Sequence, residues 1–203
     1  MKPGNIVLIV FGLTILSLLS SYIKKFFDYL FGKICIKSEE VEICVNSTNF
    51  KNKKQLLLKK LGSNINSFLR TLKPQEEKNK SVKRLFKRIG NKGITKIEEI
   101  IPTTSSNHYT ENNGKKLKVC LGKTQKIEYE EDIIDFNTLL FITFHELAHT
   151  MTLEECHTKE FYDNFKFLIN WGIKLNIYTP ENYKNTKKTY CGIPLKENPI
   201  YNK

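Results

Sequence analysis

Histidine is scarce in this chain, four among 203 residues, and acidic side chains are outnumbered, 21 against 33 lysines and arginines. The five cysteines, Cys35, Cys44, Cys120, Cys156 and Cys191, are odd in number, widely spaced and include no Cys-x-x-Cys pair. That pattern does not read as a disulfide framework. It fits reduced thiols in a cytosolic compartment, with Cys35 and Cys44 as the one pair that a hairpin would bring together. The net charge of +12 invites a nucleic-acid reading, because lysines cluster at 51–60 and 80–92. No aromatic-rich binding motif is interleaved with them, so solvated helix faces are the plainer account. Weak contact with anionic lipid or nucleic acid is the alternative.

Long uncharged runs are equally rare, and the one that stands out lies at residues 6–23, IVLIVFGLTILSLLSSYI. It is long enough to cross a bilayer as a single helix. A secretory signal is the competing reading, but no small-x-small cleavage pair follows the run cleanly. Lysines and aromatics at 24–33 suit the headgroup layer, and their positive charge exceeds that of the short N-terminal flank. The expectation is a single-pass anchor with the remaining domain in the cytosol. The sequons at Asn46 and Asn79 would matter only for a lumenal domain.

Two of the four histidines fall in Phe141-Ile-Thr-Phe-His145-Glu146-Leu147-Ala148-His149-Thr150-Met151, the pattern H-E-x-x-H in an apolar setting. Residues four apart on a helix share a face, so His145 and His149 can hold one metal ion together, with Glu146 placed beside it as a general base. Leu139, Leu140, Phe141, Phe144, Leu147, Ala148 and Met151 recur at helical spacing, which describes a buried helix that Asp135 can cap. A catalytic zinc needs a third protein ligand. His157, eight residues after His149, is the first choice; Glu155 is its main rival, and Glu154, Cys156, Glu160 and Asp163 lie close by. Thr158 can cap the helix that follows, on which Phe161, Phe165, Leu168, Ile169 and Gly172 share a face.

Elsewhere the patterns are coarser. Residues 34–45 alternate around Ser38-Glu39-Glu40 and suggest a hairpin. Leu57, Leu61, Ile65, Phe68, Leu69 and Leu72 mark a helix that Pro74 ends, and Val82, Leu85, Phe86 and Ile89 mark a second, with Lys83, Arg84, Lys87 and Arg88 on its other side. Residues 101–114 read as a loop. A second hairpin is expected from Leu117 to Tyr129, and Thr179-Pro180-Glu181 looks like a helix start. Tyr190, Cys191 and His108 are candidates for stabilising an oxyanion, and a free Cys191 could instead block the open metal position.

His145-Glu-Leu-Ala-His149, followed by His157-Thr-x-x-Phe161-Tyr162, resembles the WLM and SprT-like zinc metalloproteases, although the loop between the second and third histidines is about two residues longer than in that motif. The stretch from Val82 to Tyr201 is similar to the membrane-anchored metallopeptidases of nucleocytoplasmic large DNA viruses. It matches in Val119-Cys120-Leu121, Asp135-Phe-Asn-Thr-Leu-Leu140, Asn164-Phe-Lys-Phe-Leu168, Tyr190-Cys191-Gly192 and Asn198-Pro199. The resemblance implies zinc held by His145, His149 and His157, Glu146 as general base, a protein or peptide substrate, and a viral or host internal membrane. The expected architecture is α+β: an anchor with flanks at 1–25, a juxtamembrane segment and hairpin at 26–52, and a zincin-like domain at 53–203. That domain divides into a helical part at 53–93, a catalytic core with a short antiparallel sheet at 115–178, and a tail at 179–203. Two other readings remain open, a non-enzymatic membrane or virion protein with a structural zinc and a basic nucleic-acid-binding module.

Overall fold

Alternation around Ser38 produces the first hairpin, as expected. Strand β1 (Lys33–Ser38) runs antiparallel to β2 (Val41–Asn46), and the register sets Cys35 opposite Cys44, where they form a disulfide. The computed structural model describes residues 32–38, 41–101, 109–111, 114–154 and 156–201. The apolar run at 6–23, His108 and Glu155 lie outside them. No helix among the described residues is long and apolar enough to cross a membrane.

Helix α1 (Lys51–Leu72) buries Leu58, Leu61, Ile65, Phe68, Leu69 and Leu72, the stripe its leucine spacing sets, and Pro74 follows in a 3-10 turn. Gly62 lets it lie close to the sheet: a Cβ there would stand 3.3 Å from Val41 and 3.4 Å from Ile97. Helix α2 (Lys80–Ile89) begins at Asn79, whose side chain accepts from Ser81 N and Val82 N, and ends at Gly90, whose φ of 72° suits glycine. The Asn66 amide ties α1 to the next loop, donating to Ile94 O at 3.0 Å and accepting from Ile94 N at 3.1 Å.

Among the described residues the main sheet has five strands in the order β1-β2-β3-β5-β4, completed by β3 (Lys96–Glu99), β4 (Tyr109–Glu111) and β5 (Lys116–Val119). It is mixed: β2, β3 and β5 run parallel, whereas β1 and β4 pair antiparallel at the edges. This corrects the expected short antiparallel sheet. Two helices fill the connection from β2 to β3, and a crossover of that length carries the chain back to start a parallel neighbour. Part of the expected 101–114 loop is the edge strand β4. The hairpin expected from Leu117 to Tyr129 does not form either; β5 pairs with β3 and β4, and residues 122–133 make a loop closed by a single bridge between Gly122 and Ile133.

Helix α3 (Phe136–Met151) is buried on nearly all sides and is packed by α1, α2 and the next helix, α4 (Lys159–Lys174). Asp135 caps it, accepting from Thr138 N at 2.9 Å. The tail does not start a helix at Thr179. The Asn137 side chain takes up that residue's backbone instead, accepting from Thr179 N at 2.9 Å and donating to Thr179 O at 2.8 Å. Beyond it, β6 (Lys188–Tyr190) and β7 (Ile193–Leu195) form a small hairpin. A second disulfide, Cys120–Cys191, fastens this hairpin to the end of β5. The expectation of reduced thiols is therefore corrected, and Cys156 alone is free.

Candidate metal centre

Helical spacing puts His145 and His149 one turn apart on α3, with their Nε2 atoms 3.1 Å from each other. The chain then leaves the helix at Thr152, turns, and re-enters a helix at Lys159 behind the Thr158 cap, which accepts from Phe161 N at 3.4 Å. His157 stands at the end of this turn. Its Nε2 lies 3.3 Å from that of His145 and 3.2 Å from that of His149.

These three edges make a nearly equilateral triangle, and its size is diagnostic. Tetrahedral zinc with Zn–N distances of about 2.0–2.1 Å requires ligand nitrogens about 3.3 Å apart. A closed ring of hydrogen bonds is no alternative, because an imidazole nitrogen either donates or accepts and cannot do both. The donor set therefore fits a single borderline cation such as zinc, with three neutral nitrogens and a solvent-facing side at exposed His157. Of the rivals, Asp163 pairs with Lys159 at 2.6 Å and Glu160 is held by Arg84 at 2.8 Å, so both carboxylates are engaged elsewhere. The other ligand-like group, Cys35, Glu42 and Cys44, contains the first disulfide, which removes its thiolates.

Packing beneath the histidines is aromatic. The Phe161 ring is buried, with its centre 4.9 Å from that of His145, 4.4 Å from His149 and 4.6 Å from His157, so one side chain supports all three imidazoles. Phe165 adds an edge contact to His145 at 5.3 Å. The sequence placed both on the apolar face of α4 but did not show that this face packs against the three imidazoles. Asn164 links the two helices, donating to Thr152 Oγ1 at 3.0 Å, while that hydroxyl donates to Ala148 O at 2.7 Å.

Two arginines escaped the sequence reading. Arg84 and Arg88 are half-buried on the side of α2 that was expected to face solvent, whereas Lys83 and Lys87 are exposed there. Arg88 donates to Thr150 O at 2.8 Å, Thr152 O at 2.9 Å and His149 O at 3.4 Å; Arg84 donates to Met151 O. Cations at a helix C-terminus satisfy carbonyls that lack intrahelical partners and offset the negative end of the dipole. Their i, i+4 spacing was the available signal, but the surface they meet is set by tertiary packing.

Glu146, only 3 % exposed, is buried next to His145, and burial pushes its carboxyl up to about 8. A carboxylate in so dry a setting is a stronger proton acceptor than one in water. Tyr190 is near enough for the Glu146 charge to raise its phenol further, after burial, which is the larger cause. It is not open to a substrate: it is 1 % exposed and accepts a hydrogen bond from Cys120 N at 2.8 Å. The oxyanion role considered for Tyr190 is corrected accordingly. Cys191, held in its disulfide, offers no thiol to block the metal position.

No family model matches the sequence. The chain is 32 % identical over 139 residues to an uncharacterized protein of Acanthamoeba polyphaga mimivirus, an alignment covering 68 % of this chain and 62 % of that protein. It is 33 % identical over 79 residues to an uncharacterized protein of Invertebrate iridescent virus 6, covering 39 % of this chain and 42 % of that one. The chain thus spans less than two thirds of the length of these relatives. Among solved structures it is similar to Wss1 from Saccharomyces cerevisiae, with a TM-score of 0.44 and 21 % identity over 70 % of this chain and 96 % of that one. It is also similar to a Wss1 mutant from S. pombe, with a TM-score of 0.39 and 16 % identity over 64 % and 92 %.

Proposed function

We propose that this protein is a zinc-dependent metallopeptidase with His145, His149 and His157 as metal ligands and Glu146 as general base. The observation that carries the reading is the triangle of Nε2 atoms, with edges of 3.1, 3.2 and 3.3 Å, beside a buried carboxyl. Zinc bound there supplies a Lewis acid that polarises the scissile carbonyl and makes water acidic near neutral pH. Glu146 takes the proton of the attacking water and later delivers it to the leaving amine. Exposed His157 leaves the approach to the site open, while Phe161 and Phe165 exclude water from below. A peptide or protein substrate follows from the resemblance of the HELAH segment and the Phe161-Tyr162 pair to zinc metalloproteases.

The tether belongs to the same proposal. Residues 6–23 would anchor the domain to a viral or host internal membrane, with the catalytic unit on the cytosolic side. Weak contact with anionic lipid or nucleic acid would run through the exposed lysines.

Zinc content and peptidase activity, measured on the parent chain and on Glu146→Gln, test the chemistry. The substitution should lower activity by about 10²–10⁴-fold, the usual contribution of general acid–base catalysis, while the zinc content stays the same. Equal activity in the variant, or a parent chain that binds no zinc, would overturn the reading. A parent that binds zinc but cleaves no peptide favours a structural metal instead.

A further inference from the structure

Arg88, Arg84 and Glu160 form a continuous clasp between α2 and the two segments that carry the metal ligands. Arg88 donates to the carbonyls of His149, Thr150 and Thr152, so its guanidinium spans the last turn of α3 and the first residue beyond it. Arg84 holds the carbonyl of Met151 and, through the same Nη1, Glu160 Oε1 at 2.8 Å. The other oxygen of Glu160 accepts from Leu153 N at 3.1 Å. These bonds run from α2 to the end of α3, across the turn at 152–158, and into the first turn of α4. His149 lies at one end of this path and His157 at the other.

We propose that Arg88, Arg84 and Glu160 are positioning residues for the metal centre: they fix the end of α3 relative to the start of α4 and thereby the distance from His157 to His145 and His149. The inference rests on the metallopeptidase reading and says which residues give that site its geometry. His145 and His149 need no such device, because one helix spaces them. His157 sits on a turn, and a turn between two helices has no intrinsic reason to stop where a third nitrogen completes a triangle. Each half-buried guanidinium serves several oxygen acceptors through a single nitrogen, Nη1, and its charge is permanent, which suits it to gathering these groups. Glu160 joins the clasp with both oxygens engaged, and its carboxyl is held below its ordinary range by the Leu153 N–H first and by Arg84 next.

The test is zinc affinity of the whole chain, measured by competition with a chromophoric chelator, alongside the visible spectrum of the cobalt-substituted protein as a readout of ligand geometry. Arg88→Ala should bind zinc about 10–100-fold more weakly, as supporting groups outside the ligand set typically do when lost, and its cobalt spectrum should lose tetrahedral intensity. Arg88→Lys should recover part of the affinity, because an ammonium reaches fewer of the carbonyls. Lys83→Ala and Lys87→Ala remove exposed cations from the same helix and should leave both readouts unchanged. If Arg88→Ala does not fold, Glu160→Gln serves: it keeps an acceptor for Leu153 N but removes the charge that Arg84 holds, and should weaken zinc binding in the same direction. A folded Arg88→Ala protein, or Glu160→Gln in its place, with the affinity and cobalt spectrum of the parent overturns the clasp and leaves the metallopeptidase reading standing. A parent chain that binds no zinc overturns both.

Discussion

Glu98 joins three strands of the sheet through one carboxylate. It sits on β3, receives Lys33 of β1 on one oxygen and Lys116 of β5 on the other, the latter at 2.8 Å, and is 9 % exposed. Burial, the largest single influence, would raise its pKa, but hydrogen bonds and charge from Lys116 and Lys33 together outweigh it and hold the carboxyl at about 2. Because the folded value lies below the ordinary one, the unfolded chain binds the proton more tightly. The associated stability is thus fully present above about pH 4.5 and disappears as pH falls toward about 2, on the order of 2–3 kcal/mol. Urea unfolding at pH 7 and pH 3 should show the loss, and Glu98→Gln should flatten that part of the profile. Lys54 and Glu99, 1 % and 4 % exposed and 2.8 Å apart, form a second and more deeply buried pair beside the same sheet. Neither pair was legible in the sequence, where these lysines look like any others in a lysine-rich chain. The residues proposed for catalysis on α3 were legible because the chemistry proposed for them constrains local spacing.

At the scale of elements, α3 and α4 pack closely at Gly172. A Cβ on Gly172 would lie 2.8 Å from the Phe144 ring, so only glycine lets the second helix approach the first this closely. Gly172→Ala should destabilise the domain by about 1–3 kcal/mol, the usual cost of overpacking a filled core, with the loss seen in thermal unfolding. Phe161 and Phe165 lie on the same helix, so zinc affinity should fall as well. Helices α1 to α4 were readable from 3.6-residue periodicity, and two of them from caps at Asp135 and Thr158, because an amphipathic stripe and its terminal hydrogen bonds are local facts. The parallel pairing of β2, β3 and β5 was not, because strand alternation reports which face is buried and says nothing of which neighbour pairs. At Thr179, helix-start chemistry was overruled by the Asn137 side chain, which lies 42 residues away in sequence.

For the molecule as a whole, the two disulfides and the proposed membrane side pull in different directions. Cytosolic thiols are normally kept reduced, yet Cys35–Cys44 and Cys120–Cys191 are both paired. The sequons supply an independent test of the side. Asn46 is 6 % exposed, but Asn79 is half-buried and caps α2 through Oδ1 rather than through the Nδ2 that a glycan would take, so a lumenal domain would be open to glycosylation at Asn79. The protein purified from membranes should therefore label at Cys156 alone when alkylated without reductant, gain four further labels after reduction, and show no change in mobility with an endoglycosidase. Labelling of more than one cysteine in the native protein would count against the pairing, and a mobility shift against the cytosolic side. By itself the sequence determined the His145–His149 pair, Glu146 beside it and the helices that carry the site, since all of these depend on residues within a turn or two of each other. Only the tertiary structure decided that His157 completes the triangle, that arginines from a separate helix hold the end of α3, and that β5 and the tail hairpin are cross-linked. Each of those joins segments distant in sequence, and their meeting depends on how the whole core packs.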